Sequence, residues 1–314
     1  MPHDLHDLPR IEDSWSYLYV EHSKIDREDK AVALHDQDGK VSVPCASLAM
    51  LLLGPGTSIT HEAIKTLADT GCLVGWCGEG IIRFYALGTG ETRHSSKLIR
   101  QALLVSHPRL KQTVIYKMYR MRFKEKIPDN MNIQQLRGME GQRVRQAYAK
   151  ASDSTGVPWT GRSFDPANWH NADPVNKALS VANSCLYGIC HAAIVSIGFS
   201  PGLGFIHVGH QLSFVYDIAD LYKADLTIPI AFEVAASQPD NIERAVRLKC
   251  RDRFNEMDLL KRIVPDIEEA LNVELPVELK SEDFDSDTFS PVNLYDPTTG
   301  MKPGGVNYGS DGSE

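Results

Sequence analysis

At 314 residues the chain is long enough to bury a sizeable core and, on length alone, to divide into about two domains. Its 42% hydrophobic and 24% charged content excludes a disordered or fibrous chain. No apolar run approaches the ~20 residues that cross a bilayer, and the polar, acidic start MPHDLHDLPRIEDSW is not a signal peptide. The net charge of -8 conceals a segregation: Arg93 to Arg162 carries 15 Lys and Arg against 4 Asp and Glu, whereas Asp266 to Glu314 carries 12 acids against 2 lysines. Charge divided in this way suits a basic surface for a polyanion beside an acidic tail with another task. Six cysteines are scattered without a C-x-x-C pair, and the two C-x4-C spacings do not fit a zinc knuckle. Buried free thiols in a reducing cytoplasm follow.

Residues 15–87 alternate in short β-rich bursts: SYLYVEH, AVALHD, VSVPC, MLLLG, CLVGWC and IIRFYAL. The Asp-Gly turn in DQDGK separates two of them. One helix interrupts, TSITHEAIKTLADTG, opened by a Ser or Thr cap and stopped by Gly71. After GTGE at 88–91 the period becomes helical in KLIRQALLVS, RLKQTVIYKMYRMRFKE and IQQLRGMEGQRVRQAYAKA. A polar loop follows, and then NKALSVANSCLYGICHAAIVSIGF, LSFVYDIADLY and the last helices through ERAVRLKCRDRFNEMDLLKRIVPDIEEALN. The expected fold is α+β: a small N-terminal β-domain with one helix (1–90), a larger all-α domain (91–281) and a flexible acidic tail (282–314). Within that tail, FSPVNLYDP sets Phe289, Val292, Leu294 and Tyr295 among acids, the pattern of a segment that folds on a partner.

The chemistry concentrates in two places. In GFIHVGHQLSFVYDIADLYKAD, Asp217 and Asp220 fall three residues apart on an otherwise apolar helix, ten residues after His207. Such a spacing puts both acids on one face, with the small residues Ser213 and Ala224 leaving room before them. A divalent cation would relieve the repulsion, and carboxylates with an imidazole suit Mg2+ or Mn2+. The same acids could equally stabilise the helix dipole, with His207 satisfied in a loop. The second place is QLRGMEGQRVRQ, where Glu140 stands between Gly138 and Gly141 in a helix of good formers. Each interior glycine costs about 1 kcal/mol, which makes sense where another backbone or a nucleic-acid strand comes close. Arg137, Arg143 and Arg145 around the glutamate are suited to bidentate phosphate contacts.

The segments RGMEGQRVR, GFIHVGHQLSFVYDIADLYKAD and SCLYG, with PGTSITHEAIKTLADTG and ERAVRLKCRDRF, resemble the CRISPR-associated integrase of spacer acquisition, the first Cas protein, in its type I-E form. The resemblance covers about Trp15 to Ala270. It implies a metal-dependent DNA endonuclease and integrase in which Glu140, His207 and Asp220 bind Mg2+ or Mn2+, Asp217 is a required acid beside them, and Tyr187 lies near the site. Arg83, Lys223, Arg244 and Arg247 match positions that contact DNA phosphates. The implied reaction is attack by the 3′-hydroxyl of a captured double-stranded fragment on a phosphodiester at the CRISPR repeat. It requires neither ATP nor a protein nucleophile, in keeping with a chain that has no G-x4-G-K-[ST] loop. Implied partners are a second copy forming a homodimer through the β-domain, the small second Cas protein bridging two dimers by way of the tail, and integration host factor. The chain departs from the pattern at Ser58 and His210, which replace basic residues, at Lys65, which replaces an arginine, and at His22, which stands where a tyrosine wedge is expected. These changes bear on the grip on DNA and leave the chemistry untouched. Two other readings use the same residues: a stand-alone nuclease of branched DNA with water as nucleophile, or a non-catalytic DNA-binding scaffold.

Overall fold

The computed structural model describes residues 17–81, 83–88, 95–123, 127–128, 131–163, 173–276 and 294–302. The N-terminal half-layer holds two four-stranded sheets. One has the order β1 (Tyr17–Val20), β5 (Met50–Leu53), β7 (Leu73–Cys77), β8 (Phe84–Gly88), with the first three parallel and β8 antiparallel. The other has the order β4 (Gly39–Pro44), β3 (Ala31–Asp36), β2 (Lys24–Glu28), β6 (Ser58–Ile59). Its central hairpin closes as the Asp-Gly signal foretells: Asp36 Oδ1 accepts from the Asp38 and Gly39 amides at 2.8 and 3.1 Å, and Gly39 takes φ +136°. The helix α1 (His61–Asp69) is capped by the Thr60 hydroxyl, which accepts from the Ala63 amide.

The run MLLL is buried on both faces because successive side chains point opposite ways. Leu51 and Leu53 join Val20, Ile25, Val74 and Leu67 in the core beneath α1. Met50 and Leu52, with Leu73 and Cys77, pack instead on Ala192 and Val195 of α5 (Pro174–Ser196). The β layer is therefore docked on the C-terminal end of a helix belonging to the other half.

Among the described residues, helices alone follow from Ser96 to Leu271: α2 (Ser96–Ser106), α3 (Pro108–Met121), α4 (Ile133–Thr155), α5, α6 (Ser213–Ala219), α7 (Thr227–Ala236), α8 (Ile242–Glu256) and α9 (Leu259–Leu271). The architecture is the expected α+β one. The 23-residue α5 is its axis, lying against α6, α7, α8 and α9. It corrects the expectation of no long apolar run, since by length and composition it could cross a membrane, yet most of its apolar length is buried inside the fold. It is a core helix. Phe205, Phe214 and Phe232 are fully buried beside it, each contributing about 1.5–3 kcal/mol of apolar burial. All six cysteines are free and buried, as expected. In the tail, Leu294–Asp296 pairs antiparallel with Gly300–Lys302 to form a short hairpin, β9–β10, within the segment read as flexible and as a folding-on-binding anchor. Phe289 and Val292 lie outside the described residues.

Candidate active site

The loop that carries His207 is built by glycines and one buried amide. Gly198 ends α5 in the left-handed conformation, φ +87°. Gln101 of α2, fully buried, then clamps the chain: its Nε2 donates to the Ser200 and Leu203 carbonyls, both at 3.0 Å, and its Oε1 accepts from the Ser200 amide at 2.7 Å. At Gly204 the loop passes so close to α6 that a Cβ would lie 2.7 Å from that of Ser213. Phe199 and Phe205 pack edge-on against Phe214 from either side of this crossing.

Asp217 sits under the loop with no solvent exposure. Its Oδ2 accepts from the Phe205 and Ile206 amides at 2.6 and 3.1 Å, and its Oδ1 from the His207 amide at 2.9 Å. The same Oδ1 meets His207 Nδ1 at 2.7 Å. A carboxylate only accepts, so Nδ1 carries the proton and the Nε2 lone pair faces outward. The Asp217 hydrogen bond raises the His207 pKa above the usual imidazole range, opposed by burial and reinforced by Asp220. Asp217 and Asp220 are thus not two acids facing one space. The first is turned inward as the support of the imidazole, and the second, at the C-cap of α6, stands 4.0 Å from His207 Nε2. Ser213 and Ala224, expected to leave room there, are buried in the core, and the Ser213 hydroxyl is engaged with the His210 backbone.

Glu140 reaches the same place from α4. Arg122, at the C-cap of α3, bridges the two acids: Nη1 is 3.3 Å from Glu140 Oε1 and Nη2 is 3.6 Å from Asp220 Oδ2. Its guanidinium stacks on Tyr119, and its side chain is only 3% exposed. Arg143 grips Glu140 in a bidentate pair at 2.9 and 3.1 Å, a consequence of their i,i+3 spacing. Lys223 Nζ lies 2.7 Å from Asp220 Oδ1 and over the Tyr187 ring at 4.9 Å. Burial pulls the Lys223 pKa down, but Asp220 and Tyr187 outweigh it and the net shift is upward, so the lysine is charged. Tyr187 in turn meets Tyr216 edge-on.

Five elements therefore bring together Glu140, His207, Asp217, Asp220, Lys223, Tyr187 and Arg143. Arg122 and Gln101 were not anticipated. Arg122 was one of 15 bases in a basic stretch, and the only sign of Gln101 was a polar residue at a core position of an amphipathic helix. Of the three arginines proposed for phosphate, Arg143 spends its fork on Glu140, while Arg137 and Arg145 are exposed on α4. Among the described residues, Gly138 has nothing within 4 Å of where its Cβ would be and Gly141 only the Arg145 guanidinium, so no described backbone explains either glycine. Arg83 is exposed just before β8, Arg244 is exposed in the first turn of α8, and Arg247 pairs with Glu243 at 3.7 Å. The substituted positions Ser58, Lys65, His22 and His210 are all exposed.

The residues suit a hard divalent cation in kind: one imidazole with a presented lone pair, oriented by a buried carboxylate, and two carboxylates. In place, His207 Nε2 and Asp220 Oδ2 stand at 4.0 Å, a spacing that two bonds of about 2.1 Å can span. Glu140 joins that pair only across the Arg122 guanidinium, and among the described residues no three His, Cys, Asp or Glu side chains stand close enough to share an ion without adjustment.

The family profile described as CRISPR associated protein Cas1 matches residues 106–243, which contain every member of this cluster. A CRISPR-associated endonuclease Cas1 of Thermus thermophilus is 49% identical over 310 residues, covering 98% of this chain and 94% of that protein. One from a Clostridium species is 44% identical over 309 residues, covering 98% and 100%. The crystal structure of a TtCas1–DNA complex superimposes with a TM-score of 0.79 at 51% identity, over 85% of this chain and 100% of that one. A casposase bound to its integration product, at 14% identity and a TM-score of 0.51, shares the fold. On identity and coverage together, the chain belongs to the Cas1 family of CRISPR-associated proteins.

Proposed function

We propose that this chain is an integrase of CRISPR adaptation, of type I-E, that inserts captured DNA fragments at the repeat by transesterification. The observation that carries the reading is the meeting of Glu140, His207 and Asp220, from three separate elements, within one set of ion pairs. Relatives named as endonucleases, and one crystallised with DNA, support phosphodiester chemistry on DNA.

In this reaction the 3′-oxygen of the fragment forms a new bond to phosphorus as the bond to the repeat's 3′-oxygen breaks. The proton lost by one hydroxyl is regained by the other, so no energy source is consumed. Mg2+ or Mn2+, held by Glu140, His207 and Asp220, would supply Lewis-acid polarisation of the phosphate. Asp217 keeps the His207 lone pair outward. Lys223, fixed between Asp220 and Tyr187, offers a positive charge beside the scissile phosphate. Arg137, Arg145, Arg83, Arg244 and Arg247 hold the DNA backbone and account for most of the affinity. The β-domain edges serve homodimer formation, and residues 282–314 grip the small second Cas protein. The buried thiols fit a reducing cytoplasm.

The test is a strand-transfer assay with labelled duplex, a repeat-bearing plasmid, the partner protein and Mg2+ or Mn2+, with and without chelator. Joined products establish transfer. Shortened strands alone would mean hydrolysis, the second reading, which the relatives' designation as endonucleases favours. Glu140→Ala and Asp220→Ala should abolish joining while DNA binding persists. Unchanged joining by both would leave only a scaffold. Deleting residues 282–314 should weaken co-purification with the partner, and an unchanged yield would remove the tail's role.

A further inference from the structure

The cluster balances its own charge. Glu140, Asp217 and Asp220 are matched by Arg122, Arg143 and Lys223, with His207 and three backbone amides on Asp217. The next charges outward, Arg137 near Tyr119 and Asp225 near Arg143, are of opposite sign. The chain thus neutralises these acids with its own side chains before an ion or a nucleic acid is considered.

Arg122 differs from the other two cations. Arg143 is closed by two hydrogen bonds to Glu140, and Lys223 by its contact with Asp220. Arg122 is buried, yet among the described residues its Nε and Nη2 find no hydrogen-bond partner, and Nη2 faces Asp220 at 3.6 Å, beyond hydrogen-bond length. Buried donors are ordinarily satisfied. A guanidinium required only for packing would be closed on neighbouring carbonyls. This one donates a single hydrogen bond, from Nη1 to Glu140 Oε1 at 3.3 Å, and toward Asp220 it engages by charge alone.

We infer that Arg122 is a positioning residue acting as the internal counter-cation of Glu140 and Asp220, so that it competes with a divalent ion for them and makes ion and DNA phosphate bind together. The inference rests on Glu140, His207 and Asp220 being the ion's ligands. A dication added to a balanced cluster leaves two positive charges in excess, which disfavours it alone. Phosphodiester anions restore the balance. By linkage, each ligand then raises the affinity of the other by the same factor.

The experiment measures Mn2+ binding to the full chain by the loss of the free-ion paramagnetic resonance signal, with and without saturating duplex DNA. Wild type, Arg122→Lys and Arg122→Met are compared at one pH. DNA should tighten Mn2+ binding to wild type about tenfold or more. Arg122→Met, lacking the charge, should bind Mn2+ about tenfold tighter than wild type without DNA and gain less from DNA. Arg122→Lys, which keeps the charge, should follow wild type, whereas a merely structural arginine would make both variants melt lower with Mn2+ affinity unmoved. Melting without ion checks that each variant folds; if Arg122→Met does not, the wild-type comparison with and without DNA still decides. Equal Mn2+ affinity with and without DNA, or in wild type and folded Arg122→Met, overturns the inference. Absence of saturable Mn2+ binding by wild type in either condition removes the ligand assignment itself, and the inference with it.

Discussion

Replacing Asp217 by asparagine exchanges one carboxylate oxygen for an NH2 group and should disable the site through His207. The carboxylate accepts four hydrogen bonds, at 2.6 and 3.1 Å on Oδ2 and at 2.9 and 2.7 Å on Oδ1. An amide nitrogen placed at Oδ2 would face two backbone N–H groups, so the amide turns its nitrogen to the Oδ1 side. There one N–H, that of His207, is left facing a donor, which costs about 1–3 kcal/mol, and the two bonds kept by the oxygen lose their charge assistance at about 1 kcal/mol each. The sum is about 3–5 kcal/mol, equivalent to a fall in melting temperature on the order of 10 °C for a chain of this size. The imidazole can rescue its own bond only by accepting at Nδ1, which moves the proton to Nε2 and removes the outward lone pair. In other acid–histidine pairs an inverted tautomer of this kind lowers turnover by about 10⁴. Calorimetry, nitrogen NMR of the His207 ring and strand transfer read the three consequences separately. Asp220→Asn, whose side chain is partly exposed, is the control that should lose activity with little loss of stability. A melting temperature within about 2 °C of wild type, with the Nδ1–H tautomer retained in Asp217→Asn, would refute the reasoning.

Gln101→Leu strands the Ser200 amide and two carbonyls, and should lower stability by about 2–4 kcal/mol and strand transfer with it, although the residue is remote from the chemistry. Denaturant melts and the transfer assay check this, and an undisturbed His207 loop would show as unchanged activity. Gly204→Ala drives a Cβ against Ser213 and the His207 carbonyl, so joining should be lost even in preparations that remain folded by circular dichroism. His191 of α5 packs on Phe84 across the junction with the β layer, and burial holds its pKa down to about 4. An imidazole depressed on folding contributes fully above its unfolded value near 6.5, and stability falls as pH drops from there toward 4. The loss should reach about 1–3 kcal/mol after allowance for partial exposure. Melts at pH 7.5 and 5 should show a smaller acid drop in His191→Phe; parallel profiles would exclude His191 as the source.

Much of the fold was legible because periodicity and punctuation agreed. DQDGK named its hairpin, Thr60 and Gly71 bounded α1, and seven of the eight helices from α2 to α9 coincide with the helical stretches read from the sequence. The strand β2, KIDRE, was missed because charge on both faces hides alternation, and α7, TIPIAFEVAA, because an apolar run with an early proline has no period to read. At the site, the acids and His207 stood out as costly residues in apolar surroundings. Their separate duties did not. Helical projection set Asp217 beside Asp220, whereas the loop crossing at Gly204 buries one and leaves the other at the surface. Arg122 could not be told from its basic neighbours without knowing which one α3 turns inward at its end.

The helix α5 carries Tyr187 at the site and, two turns on, Ala192 and Val195 beneath the β sheet. Eight residues of unbroken helix place these points about 12 Å apart along one rod, with no hinge between them. Whatever grasps the sheets is thereby held at a set reach from the clustered acids. In an assembly built sheet to sheet, the span between two such clusters would be dictated by stiff helical geometry.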